Sequence, residues 1–330
     1  MSQFFAAYGL FLAELATLAL LVVVAVAIVV ATRRGGHGEG LVVEHLNRTF
    51  EDAADELKLA MSGSKAERKR EAKARAKERK REDKARARDA QQKPRTFVLD
   101  FRGDLRATAV ASLREEVSAV LQVAQPGDDV LLKLENPGGT VHEHGLAASQ
   151  LLRLKHRGLR LTIVVDKVAA SGGYLMACVG DRLVAAPFAI IGSIGVVAQL
   201  PNFHRLLDQK GIDFEQITAG RFKRTLTMFG RNTDEGREKL REEVEDVHEL
   251  FKAQIREYRP QVDLDRAATG EHWHGARALD LKLVDALGTS DDLLREAAKE
   301  RDLYAVAFKR RRPWSERMWG GIDSLLERVG

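Results

Sequence analysis

The sequence predicts an α/β domain with a largely parallel sheet, preceded by one N-terminal transmembrane helix and a charged linker. Three observations carry that expectation. From Thr96 onward, short aliphatic runs alternate with helical patterns, the signature of strands and helices in turn around one sheet. Leu15 to Thr32 reads LATLALLVVVAVAIVVAT, eighteen residues without a charge. Between the two lies a stretch rich in Ala, Lys, Arg and Glu with no sustained apolar stripe.

At 1.5 Å per residue the apolar run spans about 27 Å of helix, enough to cross a bilayer core. No Lys or Arg precedes Arg33, whereas a cleaved signal peptide would carry a positive n-region and a shorter apolar core. Residues 1–34 therefore read as a retained anchor in a bacterial inner membrane. Arg33, Arg34 and Arg48 follow the span, and the positive-inside rule puts everything after it in the cytoplasm. A second charge-free stretch, Leu183 to Leu200, holds Pro187 and two glycines three apart. It reads as a strand, a turn and another strand rather than a span.

Residues 35–95 read as an amphipathic and basic linker. Lys65 to Asp89 holds 13 Lys/Arg against 6 Asp/Glu, more than the whole chain's net charge of +5. The remainder is thus slightly acidic, and the basicity says little about the catalytic part. Good helix formers without an apolar face make a solvated helix or partly disordered spacer, with no specific nucleic-acid contact implied. Ser62 and Lys65 match S-x-x-K by accident, outside any packed pocket. Residues 309–330 form a basic tail, whose basic-aromatic part (Lys309–Trp319) suits either a membrane surface or a frayed polar terminus. Cys178 is the only cysteine, which excludes an intrachain disulfide and a cysteine-rich metal site. Its apolar neighbours predict a buried side chain.

Within residues 96–308 the strands are TFVLDF (96–101), DVLLKLE (129–135), RLTIVVD (160–166), RLVAA (182–186) and YAVAF (304–308). Helical patterns cover Ala107–Ala124, His142–Lys155, a stretch from Ser171 and Asp234–Tyr258. Three glycine-marked turns follow the strands, where an open α/β sheet holds its ligands. ENPGG (Glu135–Gly139) can present backbone N–H groups to a developing oxyanion, or can be a plain tight turn. AASGGY (Ala169–Tyr174) sets Ser171 at a strand-to-helix junction, as a helix cap or a nucleophile with room for a substrate carbonyl. IGSIGV (Ile191–Val196) puts Ser193 in a glycine-bounded turn, where a structural role is the simpler reading.

A serine nucleophile needs a base. His142 and His144, and His272 and His274, lack a metalloprotease spacing, and nothing in the pattern brings either pair to Ser171. Lys167 leaves its strand four residues before the serine, and Lys210 sits in a polar run. Lys223 has Phe222 beside it and Leu226 three residues on, yet a surface lysine would look the same.

ENPGG, DKVAASGGYLMA, APFAIIGSIGV and TAGRFKRTLT, in this order, resemble the signal peptide peptidase A family of serine–lysine proteases. The match over residues 96–290, the anchor and the charged linker are most similar to its SohB branch. The resemblance implies a Clp protease/crotonase-like fold, Ser171 as nucleophile and Lys223 as general base. It further implies that Ser193 orients the lysine and that Gly139 and Gly172 supply the oxyanion N–H donors. It implies no metal or other cofactor, peptide or protein substrates, and a ring-like homo-oligomer with clefts near subunit contacts. Relatives often carry the catalytic domain away from the cytoplasm, so a periplasmic placement is the alternative to the charge argument. Lys282 stands in ALDLKLVDALG where the family has glycine, which puts the local turn in doubt. Since a solvated lysine is protonated at neutral pH, the dyad requires an apolar environment around Lys223.

Overall fold

The computed structural model describes residues 39–61 and 93–310, with the single positions Thr17, Arg70, Lys73, Ala74, Lys77 and Arg81. One compact unit runs from Leu41 to Phe308; the other, Met1–Gly40 with Lys309–Gly330, falls almost wholly outside the described residues. The span expected at 15–32, most of the basic linker and the tail beyond Arg310 lie outside them too, Thr17 alone being described there, as helical. Among the described residues no helix is long and apolar enough to cross a membrane.

The main sheet has seven strands: β1 (Gly40–His45), β10 (Asp302–Lys309), β2 (Arg95–Arg102), β3 (Asp129–Glu135), β4 (Arg160–Val165), β6 (Arg182–Ala185) and β9 (Ala286–Leu287), in that spatial order. From β10 to β9 each neighbouring pair is parallel. A smaller sheet takes β5 (Val168–Ala170), β7 (Ile190–Gly192) and β8 (His272–His274), with β5 parallel to β7 and β7 antiparallel to β8. The charge-free stretch from Leu183 thus holds β6, a turn and β7, as its proline and glycines predict.

Helices cover both faces: α1 (Leu46–Met61), α2 (Val110–Val123), α3 (Val141–His156), α4 (Gly172–Ala177), α5 (His204–Gln209), α6 (Asp234–Tyr258), α7 (Leu264–Ala267), α8 (Gly275–Asp280) and α9 (Ser290–Glu300). Alternation along β2 divides the core. Phe97, Leu99 and Phe101 pack with the α2 stripe Val110, Leu113, Val117 and Val120, and with Leu151 of α3. Val98 points the other way, into a cluster with Leu131, Val164 and Leu294 of α9. Strands buried on both faces read as continuous aliphatic runs, which is why β3 appears in the sequence as VLLKL.

Residues 40–61, expected to be linker, form β1 and α1 at the sheet's edge, so the compact unit starts near Leu41 rather than Thr96. Asn47, buried in the first turn of α1, fixes them there. Its Nδ2 donates to the carbonyls of Ala298 (3.1 Å) and Arg301 (2.9 Å), and its Oδ1 accepts the N–H of Leu303 (2.7 Å). A short apolar run followed by a charged helix gives no periodic signal of that tie.

Lys282 keeps the turn geometry that its identity put in doubt. It sits at φ +60° just past α8, in the left-handed conformation of a helix C-cap. Its N–H donates to Leu279 (3.0 Å), and that of Leu283 to Ala278 (2.9 Å). The cap therefore forms without glycine. Beside it the buried Arg259 guanidinium grips Asp285 at 2.8 and 2.7 Å, while Asp285 also accepts the Leu183 N–H at 2.7 Å. Burial alone would raise the Asp285 carboxyl; the hydrogen bonds from Arg259 and Leu183 and the nearby guanidinium charges together outweigh it and hold the carboxyl below its ordinary value. Cys178 is fully buried, and burial pushes its thiol up to about 12, as expected for a packing residue.

Glu116 on α2 is buried and accepts the N–H of Phe308 in β10 at 2.8 Å. Burial raises its carboxyl to about 6. The folded chain then binds a proton between pH 4.5 and 6 that the unfolded chain releases, so this group's contribution is full below that window and lost above it. Glu116→Gln is expected to raise stability at pH 8 by at most about 2 kcal/mol, with the gain gone below pH 4.5. Thermal melts across pH check this; an equal gain at both ends would contradict it.

Candidate active site

Ser171 lies between β5 and α4 with φ +52° and ψ −120°. Such a conformation costs a non-glycine residue about 1–3 kcal/mol and persists only where the surroundings impose it. Two flanking strands do so. The Ser171 N–H donates to Gly192 of β7 at 2.8 Å, and the Ala170 N–H to the Asn136 carbonyl at 3.0 Å. The hydroxyl makes no capping bond to α4, so the helix-cap alternative is not realised. Ser171 thus sits on a strained strand-to-helix turn, and its hydroxyl makes no hydrogen bond among the described residues.

The register of β5 with β7 matches Ala170 to Gly192, so Ser193 follows beside Ser171 at the strands' carboxyl ends. Ser193 also has a positive φ, +52°, and its N–H donates to Glu271 at 2.7 Å. On the other side, Asn136 bridges to Ala169 in parallel, which carries Pro137–Gly139 past the serine. Gly138 stands at φ +95°, and a Cβ there would lie 2.8 Å from that of Ser171. Gly173 meets the Asn136 carbonyl so closely that a Cβ would come within 2.1 Å of its oxygen. Two helices, α3 and α4, begin directly after these turns, so their N-terminal N–H groups and dipoles face the same cleft.

The fold therefore assembles Ser171, Ser193, Gly139 and Gly172 at one sheet end. It does not bring Lys223 to them within the single chain. Lys223 is exposed, on an arm between β7 and α6, and its Nζ makes no hydrogen bond or ion pair among the described residues. The apolar enclosure expected around it is present only in part. Lys223 lines an open surface cavity of about 740 Å³ with Leu200, Phe214, Ile217, Leu226 and Phe229. The segment is held on the start of α6 by an Arg221–Glu235 ion pair (2.6 Å) and by Phe222, which lies between Arg221 and Lys239. Of the other lysines, Lys167 pairs with Glu135 at 3.1 Å. Lys210 ends α5 in solvent.

One histidine lies beside the serine although its sequence context predicts no such placement. The fully buried ring of His144 abuts Gly172, the residue after the serine. Its position one turn into α3, four residues past Thr140, is the signal that could have revealed this. Among the described residues no His, Cys, Asp or Glu cluster could hold a metal.

Sequence comparison decides the family. The profile of the peptidase family S49 N-terminal region matches residues 3–151, and that of peptidase family S49 matches residues 153–304. The chain belongs to peptidase family S49. Within S49 it is SohB-like, and it is a protease acting on peptide or protein substrates. A relative named "Probable protease SohB" from Haemophilus influenzae is 48% identical over 312 residues, covering 92% of this chain and 88% of its own. One of the same name from Buchnera aphidicola is 53% identical, covering 71% and 70%. A "Putative signal peptide peptidase SppA" from Enterococcus faecium is 27% identical, covering 53% and 51%. Among solved structures, a membrane-bound stomatin-specific protease aligns with a TM-score of 0.40 at 13% identity, covering 63% of this S49 chain and 86% of its own.

The contact beneath Gly173 is with backbone, which cannot swing aside. Gly173→Ala is therefore expected to abolish hydrolysis of a peptide substrate while the chain still accumulates. Wild-type turnover by the purified variant would show that the two turns need not approach so closely.

Proposed function

We propose that this S49 peptidase is a membrane-anchored serine endopeptidase that cleaves through an acyl-enzyme, with Ser171 as nucleophile and Lys223 as general base. The observation that carries this is the strained Ser171 turn, whose hydroxyl is left unused beside two glycine-lined loops. A Clp protease/crotonase-like scaffold accords with the repeated path of the chain. β3 with Asn136, β4 with β5, and β6 with β7 each run from the large sheet to the small one, and the first two are followed by a helix.

In this reading the neutral amine of Lys223 takes the Ser171 proton as Oγ attacks the peptide carbonyl. The backbone N–H groups of Gly139 and Gly172 stabilise the oxyanion. Collapse expels the amine, which leaves with the proton held by the lysine. A water deprotonated by Lys223 then hydrolyses the ester. Ser193 holds the lysine amine in line, so its loss weakens turnover without ending it.

The base must be desolvated to be neutral, and in one chain Lys223 is exposed. A neighbouring copy can supply the missing cover. The arm presents Val197 at 78% and Ile217 at 96% exposure, with Leu200, Phe203 and Phe214 close by in sequence, an apolar surface that favours association. We therefore assign a homo-oligomer whose contacts lie at the clefts. Substrates are extended segments of signal peptides, membrane-derived fragments or misfolded proteins, reached from an N-terminal anchor at residues 15–32.

Detergent-purified chain is expected to hydrolyse casein and to be labelled by a fluorophosphonate. Both should vanish in Ser171→Ala, and hydrolysis should fall about 10²- to 10⁴-fold in Lys223→Ala, the range for loss of a general base. Absence of labelling in wild type would favour an acyl-transfer enzyme on the same scaffold, and full activity of Lys223→Ala would remove the lysine from the mechanism.

The charge bias around the anchor favours a cytoplasmic catalytic domain. Protease added to intact spheroplasts is then expected to spare residues 100–330. Digestion of that region would assign it to the periplasmic side instead.

A further inference from the structure

We infer that Asn136 and His144 are positioning residues for the oxyanion donors, a role that rests on the acyl-enzyme reading above and deepens it. Neither belongs to the dyad or donates to the substrate, yet each touches both segments that carry a donor.

Asn136 is fully buried. Its Oδ1 accepts the N–H of Gly138 at 2.9 Å, closing a side-chain turn of the kind Asn makes with the residue two ahead. That bond fixes the Pro137–Gly138 peptide, one peptide ahead of the one that carries the Gly139 N–H. Through its backbone the same residue holds the serine segment: its N–H donates to Val168 at 2.8 Å, and its carbonyl accepts from Ala170 at 3.0 Å. Its Nδ2 rests on the Met176 sulfur of α4 at 3.2 Å.

His144 locks this arrangement from the far side. Its Nε2 lies 3.2 Å from Asn136 Oδ1, and its Nδ1 lies 2.8 Å from the Thr140 carbonyl. The ring also forms the wall behind Gly172, where an added Cβ would come within 2.5 Å of it. Both ring nitrogens thus lie against Thr140 and Asn136, and neither makes a hydrogen bond to Ser171. One carboxamide and one imidazole therefore anchor the turn leading to the first donor by a hydrogen bond and back the second by contact.

Donors aimed at the oxyanion act on the transition state more than on the bound substrate. Asn136→Ala is expected to lower kcat about 10²-fold, the scale of a lost oxyanion donor, with KM within about threefold. Asn136→Ser, whose hydroxyl makes the same turn more weakly, is expected to recover about tenfold of that loss. His144→Gln should lower kcat about tenfold with the shape of kcat against pH unchanged.

Wild type, Ser171→Ala and these variants are assayed together on one peptide, with thermal melts to verify folding. A folded Asn136→Ala with wild-type kcat, a loss confined to KM, or a serine variant no better than alanine would overturn the inference. Should Asn136→Ala not fold, His144→Gln decides: unchanged kcat, or a lost limb in its pH profile, overturns the positioning role. Hydrolysis equal in wild type and Ser171→Ala would instead sink the serine-protease reading and this inference with it. Ser171-dependent hydrolysis that ignores both substitutions sinks only the inference.

Discussion

Three parallel strand ends are held in register at the cleft, and the site depends on that one alignment. Asn136 exchanges backbone hydrogen bonds with Val168 and Ala170, and Ser171 bonds in turn to Gly192. Shifting any of these strands by one residue would point every following side chain to the opposite face. The pairing therefore sets more than sheet geometry. It forces Ser171 into a backbone conformation that a free serine would avoid, and it brings the glycine turn of the neighbouring strand into contact with it. The strain at the serine is tolerated because regular pairing on both sides over-determines it.

Support for the alignment comes from farther away, through buried polar groups that are fully paired. Arg259 reaches from the end of α6 to Asp285, which also fixes the start of β6 through Leu183. The Tyr174 hydroxyl, within α4, donates to the Leu283 carbonyl at 2.9 Å. Removing one partner of such a buried pair costs more than the pair contributes, because a charge is left alone in the core. These contacts bind the segment after the arm to the helix that begins at the serine. The arm is tied internally by Asn202, which donates to the Thr227 and Gly230 carbonyls, and to the start of α6 by the Arg221–Glu235 ion pair and the ring contacts at Phe222.

Much of the main sheet was legible in the sequence because strands buried on both faces leave unbroken aliphatic runs, as β2, β3 and β4 do. The turns at Gly139, Ser171 and Ser193 were legible because only small residues permit such close backbone approach. β1 and α1 were not, since they are held by contacts to the far end of the chain, among them the carboxamide of Asn47, and one buried polar residue has no periodicity. The roles of Asn136 and His144 were hidden for a related reason: a buried polar pair shows only when its partners, eight residues apart, are seen across a helix turn. Lys282 misled in the opposite direction. Its side chain suggested a broken turn, whereas the hydrogen bonds of the helix end hold it left-handed regardless. The surroundings of Lys223 could not be read from Phe222 and Leu226, because exposure depends on the path of the whole arm.

The Asn47 tie also has a consequence for how the chain is made. Its three hydrogen bonds reach residues 251 to 256 positions later. In space β10 lies between β1 and β2, although among the described strands it is the last in sequence. The first strand and helix therefore wait, without their sheet neighbour, until nearly the whole domain has been synthesised. Contacts this distant in sequence slow folding, because the intervening loop must be closed first. A chain interrupted before Ala298 lacks all three partners of Asn47, so this tie closes only after α9 has been made.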